Sequence, residues 1–177
     1  MKITENNKKT SEIMNEMRSK FKVWSWYTNE QLDKDFPPPK EITTREFADN
    51  VEADEEYKNM SANDLGEIKG FQGITLRERL LMEIQYFDKT GKHLDVDNIT
   101  LCSGSRCSDG DVPYVGRDGD GDVNVGEDDA QDQDPYLRAR RATLCDSSNL
   151  VPSDPKSLEA RVTELERKMA IIHIDFN

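Results

Sequence analysis

The residues best suited to chemistry run from Val115 to Tyr136, "VGRDGDGDVNVGEDDAQDQDPY". Oxygen ligands at alternate positions are what a hard divalent cation requires, and a helix-loop-helix calcium site takes them from positions 1, 3, 5, 7, 9 and 12 of its loop. Counted from Asp118, the first four are Asp118, Asp120, Asp122 and Asn124, followed by the apolar Val125. Val123 stands where the sharp turn wants glycine, and Asp129 stands where a bidentate Glu closes the site. Neither flank has helical periodicity. The run therefore predicts at most loose calcium binding, with Kd in the ~10⁻⁴ to 10⁻³ M range, and neither a dedicated metal site nor a cofactor.

Other reactive groups are scattered. Ser103 and Ser105 in "CSGSR" lack the strand–turn–helix setting of a nucleophile elbow, and neither His93 nor His173 is placed to serve them as a base. Cys102, Cys107 and Cys145 have no neighbouring base and read as free thiols, not as zinc ligands. The carboxylates of "EADEE" have no His, Arg or Gly-rich loop nearby to tune them and read as a solvated face. The expectation is a protein that is not an enzyme.

Composition sets the frame. The chain has 177 residues and 34% charged side chains, with a net charge of −12. That length fits one domain with extensions. The negative charge argues against a nucleic-acid partner, whose phosphates are bound by Lys and Arg. No basic-then-apolar leader opens the chain and no apolar run could span a bilayer. A soluble protein without signal peptide or membrane insertion is expected, cytoplasmic or associated with a virus particle.

The elements that must position the acidic run can be read in order. A first helix is predicted around Ile13, Met17 and Phe21 with Ser11 as N-cap. Trp24 and Trp26 are expected to cap the core. Thr28 and Gln31 have capping-box spacing before a helix stopped by Pro37, and Thr43 with Glu46 repeats that spacing, with Phe47 and Val51 pointing one way. The strongest helix opens on Thr75 and Glu78, carries Leu76, Leu80, Ile84 and Phe87 as one stripe, and stops at Gly91. Period two follows. Ile99 and Leu101 alternate with polar neighbours, Val112, Val123, Val125, Leu137 and Ala139 are expected inward, and Asp122, Asn124, Arg138 and Arg140 outward. A bulge would restore the pattern at Ala142 and Leu144. In the tail, Leu158, Val162, Leu165, Met169 and Ile172 form a short heptad seam, with Arg161 and Glu166 as a flanking pair. It would serve either homo-oligomer formation or docking on the parent domain.

At "LCSGSR", followed by a variable stretch and then "PYLRARRATL", the chain resembles the C-type-lectin-like variable proteins of diversity-generating retroelements. The resemblance covers roughly residues 73–144. It implies a fixed scaffold presenting a ligand-binding face whose codons are rewritten at adenines, so that Asn codons become Asp, Gly, Ser, Ala, Val or Tyr. The Asp, Gly, Asn, Val and Ala of the acidic run fit that set. Carried over, the display positions are Asp109, Asp111, Tyr114, Gly116, Asp118, Asp120, Asp122, Asn124, Asp128, Asp129, Asp132 and Asp134.

The expected fold class is α+β: an N-terminal helical region (1–69), a small antiparallel C-type-lectin-like sheet domain (70–146), a linker (147–156) and a short amphipathic C-terminal helix (157–177). The expected function is recognition of a protein or surface ligand through a diversified face. The alternative, from a different class, is an acidic interaction or inhibitor protein that engages a basic partner by charge, with weak calcium binding at most.

Overall fold

The computed structural model describes residues 1–143. The heptad seam from Leu158 to Ile172, the linker, Leu144, Cys145 and His173 lie outside the described residues. The described residues belong to one compact unit. Helices and strands are interleaved along it in an α+β arrangement.

Local signals decide the helices. α1 (Thr10–Lys20) starts two residues earlier than Ser11 as N-cap predicts, with Lys9 as the N-cap, because the Glu12 carboxylate reaches back to the Lys9 amide at 2.7 Å. Ser11 lies inside the helix and donates through both its amide and its hydroxyl to Asp33. α2 (Asn29–Asp35) carries the expected reciprocal box. The Gln31 amide donates to Thr28 Oγ1 at 3.2 Å, the Thr28 amide to Gln31 Oε1 at 2.8 Å, and the helix ends just ahead of Pro37. A short α3 (Ala62–Glu67) is capped by Ser61. α4 (Leu76–Thr90) opens on Thr75 and Glu78 and stops at Gly91, whose φ of 66° is the left-handed value that glycine adopts without strain.

The Thr43–Glu46 spacing does not make a helix. Thr44–Glu46 is a strand, β3, paired antiparallel with β1 (Lys2–Thr4). Pairing with a distant segment overrides the local box here. Arg45 is drawn from β3 onto Glu78, which already caps α4.

The second sheet has five strands in the order β2 (Val23–Ser25), β6 (Val123–Asp128), β5 (Val112–Arg117), β4 (Ile99–Leu101) and β7 (Leu137–Ala139). It is mixed, not purely antiparallel as expected. β2 runs parallel to β6 and β4 parallel to β7, while β4–β5 and β5–β6 are antiparallel. The N-terminal region expected to be helical (1–69) thus contributes an edge strand, β2, to this sheet.

Register sorts the side chains onto two faces. Val115 pairs with Val125, and Val123 and Val125 pair with Val23 and Ser25. This face joins Leu76, Leu80, Met82 and Ile84 of α4 and Ile13, Met14 and Met17 of α1 in the larger core. The opposite face carries Val112, Leu101, Leu137 and Ala139 into a second cluster with Tyr57, Ala62 and Leu65. Val112, Leu137 and Ala139 therefore point away from the core that holds Val123 and Val125, although all five are buried as expected.

Two buried faces also explain the failure of simple alternation after Arg140. Arg138 and Arg140 were expected outward, yet Arg140 is buried and Arg138 largely so. No bulge is needed, because Ala142 continues the alternation onto the Arg140 side, in the larger core. Arg140 donates to Asp95 Oδ1 at 2.6 Å, to Thr100 Oγ1 at 3.1 Å and to the carbonyls of Asn50 and Val51. Asp95 Oδ2 also accepts from the Arg79 guanidinium at 2.9 Å, and Arg79 donates to Glu83 Oε2 at 2.7 Å. Burial alone would raise Glu83, but Arg79 and His93 hold its carboxyl below the usual range.

Candidate functional site

The second cluster covers only the β4–β7 half of its face. Over β2, β6 and the part of β5 beyond Val112 the same face is open, and its side chains follow from register. Trp24 lies beside Asn124, which lies opposite Gly116, and Gly126 lies opposite Tyr114. The two glycines are shape requirements. A Cβ on Gly126 would stand 2.5 Å from the Tyr114 ring, and one on Gly116 would stand 2.8 Å from Ile99. Tyr114 thus lies down across β6, half-buried, and its hydroxyl is pushed above its ordinary pKa by burial and by Asp128 and Glu127.

Trp24 and Trp26 contradict the expectation that they cap the core. They are 52% and 59% exposed, and their rings meet edge-to-face at 5.7 Å between centroids. The signal that would have found them is the alternation of "VWSW", in which Val23 and Ser25 turn inward and the tryptophans outward. Asn124 Oδ1, beside Trp24, is buried and accepts no hydrogen bond among the described residues.

The twelve display positions do not form one patch. Tyr114, Asn124 and Asp128 lie on the strands, on the open side. Gly116 is on that side too but buried beneath Ile99. Asp118, Asp120 and Asp122 belong to the turn joining β5 to β6. Asp109 and Asp111 precede β5, and Asp129, Asp132 and Asp134 follow β6, so they gather at the other end of strands six residues long, about 20 Å away.

Four of these aspartates build turns. Asp118 Oδ1 accepts from the amides of Asp120 at 3.0 Å and Asp122 at 2.9 Å, and Gly121 closes the turn at φ 84°. Asp109, Asp129 and Asp134 each accept the amide two residues on. A short carboxylate that mimics a backbone turn is a structural reason for Asp at such positions. It engages Oδ1 of Asp118 in the turn itself. With strands on both sides of the turn, the helix-loop-helix geometry is absent as well.

The far end of the hairpin is a carboxylate rim. Oxygens of Asp109, Asp111 and Glu127 lie within 4.8 Å of one another, close enough to share a cation. Asp111 is raised by burial and then by Asp109, Glu127, Asp129 and Asp132, and Asp128 by burial, Asp132 and Asp134. No Lys or Arg among the described residues forms an ion pair with these groups.

Thiol chemistry is unfavoured. Burial pushes Cys107 up to about 12, with its sulfur 3.2 Å from the Tyr27 hydroxyl and 3.4 Å from Glu127. Cys102 is raised further by complete burial. Among the described residues no helix is long and apolar enough to cross a membrane. No protein-family model, curated protein or solved structure matches the chain.

Proposed function

We propose that the protein is a non-enzymatic ligand-binding protein that recognises a protein or surface ligand through the open half of its five-stranded sheet. The scaffold would be C-type-lectin-like, of the kind that variable proteins of diversity-generating retroelements carry. One observation carries the reading. Two exposed tryptophans, Tyr114 and Asn124, whose Oδ1 accepts no hydrogen bond among the described residues, share a rigid sheet face whose other half is sealed by the second cluster. Exposed aromatics are the side chains that most often dominate binding energy, and a sheet whose reverse side is core holds them in place. Asp122 and Asp128 flank them.

Sequencing the gene from many clones of one source population tests this. Changes should cluster at adenine-derived codons between Asp109 and Asp134, at Tyr114, Asp122, Asn124 and Asp128 above all, and spare Val123, Val125 and Gly116. Changes spread evenly over the gene would overturn diversification.

The carboxylate rim favours a second reading, an acidic interaction or inhibitor protein for a basic partner. Such binding would weaken steeply with salt and depend little on any one side chain. Recognition by the face would instead depend on Trp24 and Trp26 and vary little with salt.

A further inference from the structure

The five-stranded sheet has unequal edges. β7 is met along its outer side by bridges from Asp54 to Ala139 and from Gly73 to Arg141 just beyond it. β2 has no strand beyond it among the described residues. The Lys22 carbonyl receives the Val123 amide and the Trp26 amide donates to the Val125 carbonyl, both toward β6. Alternation therefore turns the amides and carbonyls of Val23 and Ser25 outward, away from the sheet.

Charge is divided across this strand. Arg18 and Lys22 precede it, with Lys20 between them bridged to Asp88 at 2.8 Å, while Glu30 follows at the head of α2. The Arg18 guanidinium reaches only the amide oxygens of Asn15 and Asn29, at 3.3 and 3.4 Å. Glu30 has no ion-pair partner among the described residues. Lys22 is almost fully exposed, 3.6 Å from Asp122.

We infer that β2 is a self-association edge, on which a second copy of this chain pairs antiparallel about a two-fold axis at Trp24. In that register Val23 lies opposite Ser25 of the second copy. These are the two residues whose backbone groups face outward, so each pair exchanges two hydrogen bonds. Trp24 meets its own counterpart across the axis in the closer, non-hydrogen-bonded position. Lys22 lies opposite Trp26 of the second copy, on the same side of the sheet, where its stem covers the indole and its ammonium faces the ring. The antiparallel sense sets the basic flank of each copy against the Glu30 end of the other. A parallel pairing would set basic against basic.

An isologous pairing of this kind closes at two copies. It joins two sheets edge to edge with both open faces on the same side, so two recognition faces would engage a repetitive surface together and gain by avidity. A strand of three residues makes the contact short, and the dimer is therefore reversible.

Cysteine cross-linking of the full chain tests the register, on a Cys145→Ser background in which the native thiols that remain, Cys102 and Cys107, are buried. Trp24→Cys should yield a covalent dimer on mild oxidation. Trp26→Cys alone should not, and a mixture of Lys22→Cys with Trp26→Cys chains should yield the heterodimer. Without cross-linking, the sedimentation mass of the native chain should rise with concentration, and Trp24→Asp or Ser25→Pro should abolish the rise at unchanged circular dichroism. A native chain monomeric at all concentrations would overturn the inference. So would cross-linking through Trp26→Cys alone, or a dimer that survives Trp24→Asp. None of these readouts involves a ligand, so their failure is separable from failure of the recognition proposal.

Discussion

Two regions of this molecule concentrate charge, and they treat it in opposite ways. Beneath the sheet, Arg79, Arg140, Glu83 and Asp95 are buried, and every charge has a counter-charge within hydrogen-bonding distance. At the base of the β5–β6 hairpin, Asp109, Asp111, Glu127, Asp128 and Asp132 crowd together at the surface with no Lys or Arg paired to them among the described residues. The first arrangement fixes the fold. It ties α4, the loop at Asp95 and the strand end at Arg140 to one point. The second forms no ion pair among the described residues and leaves repulsion that solvent and salt must screen. Density of charge in a sequence is therefore no guide to its role, and what separates the two regions is whether a partner arrives from elsewhere in the chain.

The comparison breaks most visibly at Asp95, which serves Arg79, Arg140 and Thr100. Asp95→Ala leaves the buried Arg140 guanidinium without a counter-charge and Arg79 with Glu83 alone, and removal of one member of a buried pair costs about 3–5 kcal/mol. Urea unfolding should show that loss or an unfolded chain. A loss under about 1 kcal/mol would mean that the network is not the tie described here.

Among the surface aspartates, turn building should separate neighbours. Asp118→Ala removes two side-chain-to-amide hydrogen bonds, at about 1 kcal/mol each or less, whereas Asp120→Ala should stay within about 0.5 kcal/mol. Equal effects in thermal unfolding would remove the structural role given to Asp118. Calorimetric titration should also find calcium bound no tighter than the ~10⁻⁴ to 10⁻³ M range of loose sites.

The smallest effect concerns pH, where the two regions should act with opposite sign. The folded pKa of Glu83 lies below its unfolded value, so its contribution is present above the ordinary Glu range and is lost as pH falls through the lower folded value. Those of Asp111 and Asp128 lie above their unfolded values. Protonation then favours the folded state, so these groups add stability as pH falls through their raised values toward the ordinary Asp range. Glu5 and Asp54 are raised by burial and act in the same sense. Asp111→Asn with Asp128→Asn should flatten the rise on mild acidification and leave the later fall in place. An unchanged profile would show that the rim repulsion is screened away.

Much of this was legible from local pattern. The caps of α2 and α4, the stop at Gly91 and the inward turn of Val123 and Val125 depend on residues a few positions apart. What was not legible depends on distant partners. The strand at Thr44 needs β1, β2 needs β6, and Arg140 needs Asp95, 45 residues earlier. The candidate face was legible in part. Tyr114, Asn124 and Asp128 lie on it as alternation implies, but its tryptophans come from a strand nearly 100 residues upstream in the chain. The aspartates that build turns could have been read from carboxylates placed two residues before an amide that a turn must satisfy.

The central claim is that stability and recognition are carried by alternate residues along β6 and its turn. A thermal-shift scan across Gly116 to Asp134, run with and without calcium, tests it most directly. Val123→Asp and Val125→Asp should each cost several kcal/mol by burying an unpaired charge. Asn124→Tyr and Asp122→Ser should stay within about 0.5 kcal/mol, and calcium should change none of these values. Uniform tolerance across the segment, or sensitivity at Asp118, Asp120 and Asp122 that depends on calcium, would contradict the account.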